Sequence, residues 1–270
     1  MTGKVMLLGG LALLIGCSDR TQQPGPVQPD RGATVLLDWY KPPGDQKAPP
    51  PADQKVLLGD QKVLPPDQGS KPALLPTWTD NPCAKESAFK PGYTSTINNW
   101  VSQDALSKPP DKGLVVVGSS SVRYWKRLLL DFSAWKVVQR GYGGSKIWDT
   151  VGHAGKIVIP YKPRAVLIYA GTNDVSGGVA PADVVDGYRC LVRKIRLGLG
   201  DLHVLYIGIT PNPARWSTWP KAAQVNAAIK ALAATAPGLH YIDIPAAFLK
   251  MGQPPPTGLF VSDKLHLNEA

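Results

Sequence analysis

The chain is poor in the side chains that bind transition metals, with three cysteines and four histidines among its 270 residues. Three cysteines do not make a zinc site, and the histidines lack the spacing at which zinc ligands recur. We therefore expect no metal, and nothing in the sequence requires an organic cofactor. The scarcity of histidine also leaves few candidates for a general base, which narrows the search for a catalytic site.

The N-terminus lacks an apolar run long enough to cross a bilayer, because the run from Val5 to Ile15 falls short of the roughly 20 residues that a spanning helix needs. Lys4 precedes this run, and a glycine and Cys17 follow it, which is the order of a secretory signal peptide. The end of the run, Leu-Ile-Gly-Cys, also resembles the bacterial lipobox, whose cysteine is linked to diacylglycerol and becomes the mature N-terminus. We expect residues 1–16 to be a lipoprotein signal peptide and Cys17 to be lipidated. An ordinary signal peptide with an incidental cysteine is the alternative.

The residues after the cysteine predict where the protein is held and how. Ser18 favours sorting to the outer membrane under the enterobacterial rule, so we expect a lipid-anchored protein of the bacterial cell envelope. Residues 17–82 are rich in Pro, Gln, Asp and Lys, and they repeat Asp-Gln-Lys at 45–47, 53–55 and 60–62. Such a segment buries too little apolar surface to offset the entropy of ordering, and its prolines exclude a coiled coil. We expect a disordered tether.

The net positive charge comes entirely from the part of the chain after residue 80. Residues 1–80 carry 8 Lys/Arg and 8 Asp/Glu, whereas residues 81–270 carry 22 and 12. A positive field attracts nucleic acid, anionic glycan and lipid headgroups alike. The densest basic run, from Arg189 to Arg196, has helical spacing beside apolar residues, which is typical of the solvated face of an amphipathic helix. No recognised nucleic-acid-binding motif accompanies it, so we expect no nucleic-acid partner.

From residue 83 onward, short apolar runs alternate with stretches of helical periodicity, which is typical of a parallel α/β domain. We predict one domain over 83–270, a three-layer α/β/α sandwich with a five-stranded parallel sheet. The predicted strands are Leu114–Val117, Lys136–Gln139, Ala165–Ala170, His203–Ile209 and Leu239–Ile242. The predicted helices are Val122–Leu130, Lys146–Ile159, Pro181–Leu199, Pro220–Ala234 and Pro245–Met251.

Small and polar residues follow the carboxyl ends of four predicted strands, where open parallel sheets bind their ligands. The four segments are Gly118-Ser119-Ser120-Ser121, Gly141-Tyr142-Gly143-Gly144, Gly171-Thr172-Asn173-Asp174 and Thr210-Pro211-Asn212-Pro213-Ala214-Arg215. Any one of them alone would be ordinary turn chemistry. Their common location at one rim favours a functional site.

The histidines leave one candidate for a base at this rim. His203 and His240 begin predicted strands, which is the opposite edge of the sheet, and His153 lies within a predicted helix. His266 is left, three residues after Asp263, a spacing that would put both side chains on one helical turn. A serine at the rim could then act as nucleophile, with the carboxylate fixing the tautomer of the imidazole.

These residues carry a family resemblance. From about residue 114 to 270 the chain resembles the SGNH, or GDSL-like, hydrolases, whose four blocks supply a Ser, a Gly, an Asn and an Asp-x-x-His in that order. The resemblance implies a flavodoxin-like fold and a triad of Ser120, Asp263 and His266. It also implies an oxyanion hole formed by the N–H groups of Ser120 and Gly144 and by the side chain of Asn173.

The sequence departs from the family pattern at two points. Ser119 stands where the family name has Asp, which leaves the register among Ser119, Ser120 and Ser121 open. Family members also commonly continue through a closing helix after the last block, so we expect the domain to lack its final helix here. No Gly-x-Ser-x-Gly occurs, so the nucleophile elbow of the α/β-hydrolases is not supported.

The resemblance implies a serine esterase, and we expect it to cleave short acyl esters, O-acetyl above all, on carbohydrate. A lysophospholipase or thioesterase on the same scaffold and a catalytically silent glycan-binding lipoprotein are the alternatives. Arg215 is a candidate substrate contact. Trp216 and Trp219 could form a sugar platform or pack in the interior.

The two cysteines that remain after lipidation form an even pair in an oxidising compartment. A disulfide between Cys83 and Cys190 would tie the start of the domain to the helix after the third block. The sequence leaves this bridge open.

Overall fold

The structure is a computed structural model that describes Trp78 and residues 80–268. The predicted signal peptide, Cys17 and nearly all of the predicted tether lie outside these residues. No helix in the described part of the chain combines the length and the apolar character that crossing a bilayer requires.

A five-stranded parallel sheet forms the centre of the domain. Its strands are β1 (Leu114–Gly118), β2 (Val137–Gly141), β3 (Ala165–Tyr169), β4 (His203–Ile207) and β5 (Leu239–Ile242). The strand order is β2-β1-β3-β4-β5, which is the flavodoxin-like order. Every residue of β1 and β3 is buried, because these strands are covered on both faces and consist of apolar runs. The predicted strands are confirmed to within two residues at each end.

Eight α-helices occur in the described residues. They are α1 (Thr94–Leu106), α2 (Ser120–Arg123), α3 (Leu128–Asp131), α4 (Ile147–Ile157), α5 (Thr172–Ser176), α6 (Pro181–Leu199), α7 (Trp219–Thr235) and α8 (Ile244–Met251). Short 3₁₀ helices cover Glu86–Ala88, Ile159–Tyr161, Pro213–Thr218 and Thr257–Leu259. The predictions for α4, α6, α7 and α8 are confirmed, whereas the sequence did not predict α1 or α5.

The prediction of one helix over Val122–Leu130 is wrong, because α2 and α3 divide this segment. Val122, Trp125 and Leu128 are all buried, at a constant spacing of three residues. A continuous α-helix would turn Leu128 about 120° away from Val122, because 3.6 residues make one turn. The break between α2 and α3 keeps all three side chains against the sheet.

The helices cover both faces of the sheet and give three layers. Val115 and Val117 belong to an apolar cluster with residues of α1, α4, α6 and α7, while Leu114 and Val116 belong to a second cluster with residues of α2, α3 and α8. Alternate residues of a strand point to opposite faces, so these two clusters are the two cores of the sandwich. The three-layer α/β/α prediction is confirmed.

A disulfide joins Cys83 to Cys190 and ties the segment before α1 to α6. The sequence left this bridge open, and the structure forms it. In the described part of the chain, the one cluster of possible metal ligands is Cys83, Glu86 and Cys190. Its two sulfur atoms are bonded to each other, and a thiolate is what a metal binds.

The segment before α1 also covers the basic run on α6. Arg189 pairs with Asp80 and stacks over the ring of Trp78, although both partners fall in the segment predicted as tether. Lys194 pairs with Glu86, and Arg196 is buried. The prediction of a solvated basic face is therefore wrong. Periodicity identified the helix, but it does not show which other segment packs on the polar side.

Candidate active site

Ser120 is the first residue of α2, directly beyond the end of β1. Gly118, the last residue of β1, has no room for a side chain, because a Cβ there would lie 2.1 Å from the carbonyl oxygen of Tyr169 on the neighbouring strand. The N–H of a first helical residue has no acceptor within its helix. Ser120 is 8% exposed, so it is nearly buried at the rim of the sheet.

His266 and Asp263 form a chain of hydrogen bonds that ends on Ser120. His266 Nε2 lies 2.7 Å from Ser120 Oγ, and His266 Nδ1 lies 2.6 Å from Asp263 Oδ2. Ser119 is buried and its hydroxyl has no hydrogen-bond partner among the described residues. Of the two serines, Ser120 is therefore the one that the structure brings to the imidazole.

The expectation that Asp263 and His266 share a helical turn is wrong. They lie in a turn, in which Asp263 Oδ1 accepts hydrogen bonds of 2.9 Å from the N–H groups of Leu265 and His266. Lys264 has a φ of 57°, in the left-handed region, which reverses the chain between them. Asp263 thus uses one carboxylate oxygen to close the turn and the other to hold the imidazole.

The electrostatics of Asp263 fix the tautomer of His266. Burial raises the pKa of Asp263, but the hydrogen bonds from the His266 ring and from the N–H groups of His266 and Leu265 outweigh burial, and together they lower the pKa to about 2. An ionised carboxylate can only accept, so His266 Nδ1 carries the proton that faces it. In a neutral ring, Nε2 is then unprotonated and accepts the hydrogen bond of the Ser120 hydroxyl.

Backbone contacts hold the segment that carries Asp263 and His266 against the domain. Val261 N–H donates to His266 O (2.8 Å), and Ala214 N–H donates to Lys264 O (3.2 Å). The ring of Tyr124, just after α2, meets the His266 ring edge-on with centroids 5.1 Å apart. The imidazole is therefore positioned from both sides.

The second block lies beside Ser120 through Gly143, which sequence reasoning did not single out. A Cβ at Gly143 would be 4.0 Å from Ser120 Cβ. At Gly144, a Cβ would point instead to Tyr93 and lie 2.9 Å from its hydroxyl oxygen. Gly144 also has a φ of +82°, which favours glycine, so both position and conformation exclude a side chain there.

Asn173 is held on both ends of its amide. Its Nδ2 donates to Ser145 O (3.0 Å), and its Oδ1 accepts from Arg215 Nη1 (2.8 Å). Because a guanidinium can only donate and a carbonyl can only accept, these partners fix which end of the amide is which. Arg215 also donates to Thr172 Oγ1 (3.2 Å), and burial lowers its pKa. The structure thus gives Arg215 protein partners, and its contact with a substrate stays a prediction.

Asp174 links the second and third blocks, and sequence reasoning missed it. Its carboxylate accepts from Ile147 N–H at the start of α4, with distances of 3.0 and 3.2 Å to its two oxygens. Burial raises the pKa of Asp174 to about 6, and the hydrogen bond from Ile147 opposes this shift. The only sequence signal was an acidic residue directly after Asn173.

Trp216 and Trp219 stack on each other at 6.2 Å with nearly parallel rings. Both are half-buried, and Trp219 packs against the main apolar cluster. Packing therefore accounts for Trp219, while a sugar platform on Trp216 stays a prediction.

A strand-end serine beside an imidazole and a carboxylate, on a parallel three-layer sandwich, is an arrangement of serine-dependent acyl hydrolases. Residues 111–270 match the sequence model of the GDSL-like Lipase/Acylhydrolase family. This match covers more than half of the chain, so the chain belongs to that family and is a carboxylic ester hydrolase.

Solved structures share the fold at low sequence identity. A candidate acylhydrolase from Bacteroides fragilis is 22% identical with a TM-score of 0.55, covering 65% of this chain and 89% of that chain. A GDSL-like lipase from Bacteroides thetaiotaomicron is 19% identical with a TM-score of 0.54, covering 64% and 90%. A candidate platelet activating factor from Streptococcus pneumonia is 15% identical with a TM-score of 0.57, covering 64% and 85%. No curated protein sequence matches the chain.

Proposed function

We propose that this protein is a serine esterase that hydrolyses short acyl esters, O-acetyl above all, on carbohydrate, with Ser120, His266 and Asp263 as its triad. The observation that carries the proposal is the continuous hydrogen-bond chain from Asp263 through His266 to Ser120, with distances of 2.6 and 2.7 Å. These distances are those at which a base takes a proton from a nucleophile.

In the first step, Ser120 Oγ attacks the ester carbonyl carbon while His266 Nε2 takes the hydroxyl proton. Asp263 stays ionised and stabilises the imidazolium that forms. The tetrahedral intermediate collapses when His266 returns the proton to the oxygen of the departing alcohol. The products of this step are the free sugar hydroxyl and an acyl group on Ser120.

In the second step, water attacks the acyl-Ser120 carbonyl as His266 Nε2 takes a proton from it. The second tetrahedral intermediate releases the carboxylic acid and returns the proton to Ser120 Oγ. The enzyme is then unchanged, and one water has been consumed per ester.

The oxyanion of both intermediates is held by the N–H groups of Ser120 and Gly144 and by the Asn173 amide. The position of Gly143 beside Ser120 supports this assignment, because the second block is then a neighbour of the attacking hydroxyl. Each donor of this kind contributes about 3–4 kcal/mol to the stabilisation of the transition state.

The lipidation of Cys17 and the position in the bacterial envelope complete the proposal. A lipid anchor followed by a long tether would hold the enzyme at the outer membrane, which suits a polymeric substrate of the envelope better than a small molecule that diffuses to the enzyme. The excess of positive charge in residues 81–270 also draws the domain toward anionic glycans of the envelope or its surroundings.

The test is a comparison of esters with the wild type and three serine variants. We expect kcat/KM to fall from p-nitrophenyl esters of two carbons to those of twelve, and acetate to be released from acetylated xylan. Ser120→Ala should abolish both activities, whereas Ser119→Ala and Ser121→Ala, the matched controls, should retain them. An optimum at long chains with no acetate released would instead indicate a lysophospholipase or thioesterase, and Ser120-independent hydrolysis would exclude the triad.

A further inference from the structure

A cleft of about 490 Å³ opens between α1 and the carboxyl end of β2. It is lined by Tyr93, Thr96, Trp100, Arg123, Gln139, Gly141, Tyr142 and Gly143. Its lining is polar and aromatic. A volume of this size holds a small ligand or one or two sugar rings.

The cleft lies next to Ser120, which is not one of its lining residues. Gly143 lines it, and a Cβ at Gly143 would lie 4.0 Å from Ser120 Cβ and 3.5 Å from Arg123 Nη1. Arg123 is the last residue of α2, which begins at Ser120, so both side chains leave the same short helix. A sugar bound in this cleft would therefore lie close to an ester that Ser120 attacks.

One wall of the cleft is aromatic and firmly packed. The ring of buried Tyr142 meets the rings of Tyr93 and Trp100 edge-on, at centroid distances of 5.1 and 5.8 Å. Tyr93 and Trp100 are both half-buried, so each keeps exposed ring surface. Rigid, half-exposed aromatic rings bind the apolar faces of ligand rings at a low cost in side-chain entropy.

The charge in the cleft comes from Arg123. Arg140 lies over the Trp100 ring, but its charge is met by both oxygens of Asp104, at 2.6 and 2.9 Å. Arg123 is exposed, and its guanidinium lies over the Tyr124 ring, 5.5 Å from the ring centroid. In the described part of the chain no carboxylate forms an ion pair with it. Among the lining residues that the structure describes, it carries the one formal charge. An exposed guanidinium without a carboxylate partner is suited to binding a planar anion, because its parallel N–H groups match the two oxygens of a carboxylate.

The backbone holds Arg123 in place for this role. A Cβ at Gly141 would lie 2.2 Å from Arg123 N, so the end of β2 packs directly on it. Gln139 Nε2 donates to Val122 O (2.6 Å), one residue earlier. The guanidinium thus extends from a fixed backbone.

The two half-buried rings of the aromatic wall come from a segment outside the family match. Trp100 lies in α1, and Tyr93 is the residue just before this helix. The family match begins only at residue 111. The cleft therefore lies between the part of the domain that matches the family and a helix that precedes this part in the sequence.

We propose that this cleft binds a uronate sugar of the substrate, with the sugar ring against Trp100 and Tyr93 and its carboxylate on Arg123. This inference rests on the proposed function and narrows it to O-acetylated acidic polysaccharides. A phosphate could also meet Arg123, but the aromatic wall and polar lining fit a sugar ring better than a long acyl chain.

The test compares acetate release from O-acetylated polygalacturonate with release from O-acetylated xylan that has no uronate side groups. We expect the wild type to prefer the acidic polymer in kcat/KM, and Arg123→Gln to lower the ratio of the two values about tenfold. The ratio cancels any general loss of catalysis in the variant. Arg164→Gln, which removes an exposed arginine at the opposite edge of the sheet, should leave the ratio unchanged.

Binding provides a measurement that does not depend on turnover. Unacetylated oligogalacturonate should bind to wild type and to Ser120→Ala by calorimetry, and binding should weaken about tenfold in Arg123→Gln and in Trp100→Leu. Equal use of both polymers, an unchanged ratio in Arg123→Gln or a preference for lysophospholipid would overturn the inference. Ser120-dependent acetate release without an acidic preference would overturn this inference alone, whereas oligogalacturonate binding without any ester hydrolysis would support the cleft and refute the esterase.

Discussion

The guanidinium of Arg215 donates to Asn173 Oδ1 over 2.8 Å and so determines the direction in which the Asn173 amide group faces. Asn173 Nδ2 is turned toward the second block, where it donates to Ser145 O. A guanidinium that withdraws charge from the carbonyl end also makes the N–H end a stronger donor, because hydrogen bonds in a chain polarise one another. Arg215 is thus a positioning residue for a proposed oxyanion donor.

Arg215→Ala should lower kcat for p-nitrophenyl acetate by about tenfold or more while KM changes little, since an oxyanion donor acts in the transition state. Arg215→Lys should restore part of the loss, because an ammonium can still donate to Oδ1. Steady-state kinetics on both variants and on Ser217→Ala, an exposed neighbouring control, provide the test. A rise in KM at constant kcat would make Arg215 a substrate contact instead.

Asp263→Asn should lower kcat by up to about 10⁴-fold, because the amide can present its N–H₂ to Nδ1 and so favour the wrong tautomer of His266. His266→Ala should be as inactive as Ser120→Ala. Thermal unfolding should show all three variants folded, since the mutated side chains lie at the rim and contribute little packing. A loss of less than tenfold in Asp263→Asn would refute its role as the triad acid.

Asp174 should give the domain a measurable pH dependence of stability. Its pKa is about 6 in the folded protein against an ordinary value of 3.8, so its contribution to folding is fully present below pH 3.8 and is lost as the pH rises through 6. Asp174→Asn removes this loss. The Tm of the variant minus the Tm of the wild type should therefore increase by several degrees from pH 4 to pH 7. Asp111→Asn, at an exposed position, is the control. A Tm difference that is constant over this range would contradict the prediction.

The disulfide should contribute strongly to stability, because it closes a loop with a sequence separation of 107 residues. Replacing Cys83 and Cys190 with serine should lower the free energy of unfolding by about 2–5 kcal/mol in urea titrations. Free thiols counted in the unfolded, non-reduced Cys17→Ala protein should be absent. Two reactive thiols there would show that the bridge does not form.

Cys17→Ala should leave the protein without lipid, because no other cysteine lies next to an apolar leader. In a detergent phase separation, the variant should move to the aqueous phase while the wild type stays with the detergent. Ser18→Ala is the control and should keep the lipid. A diacylglycerol mass on the Cys17→Ala protein would refute the lipobox interpretation.

Local patterns were sufficient for the sheet and for the residues around Ser120. The apolar runs of β1 and β3 are buried on both faces, so their composition alone identifies them as central strands. The carboxyl ends of parallel strands share one edge, which is why the order of the elements alone places the segments containing Ser120 and Asn173 together. His266 followed from the scarcity of histidine and the positions of the other three.

The tertiary structure decided what depends on contacts between distant segments. Asp263 and His266 were expected to share a helical turn, but the chain reverses between them at Lys264. One carboxylate oxygen of Asp263 accepts the backbone hydrogen bonds of this turn, and the other accepts from the imidazole. The basic run on α6 is covered by Asp80 and Glu86, which periodicity cannot reveal. The cleft exists only because α1 packs beside the end of β2, and the pairing of Arg215 with Asn173 joins residues 42 positions apart. Periodicity records which side of an element is apolar, but only the folded chain determines which polar groups meet there.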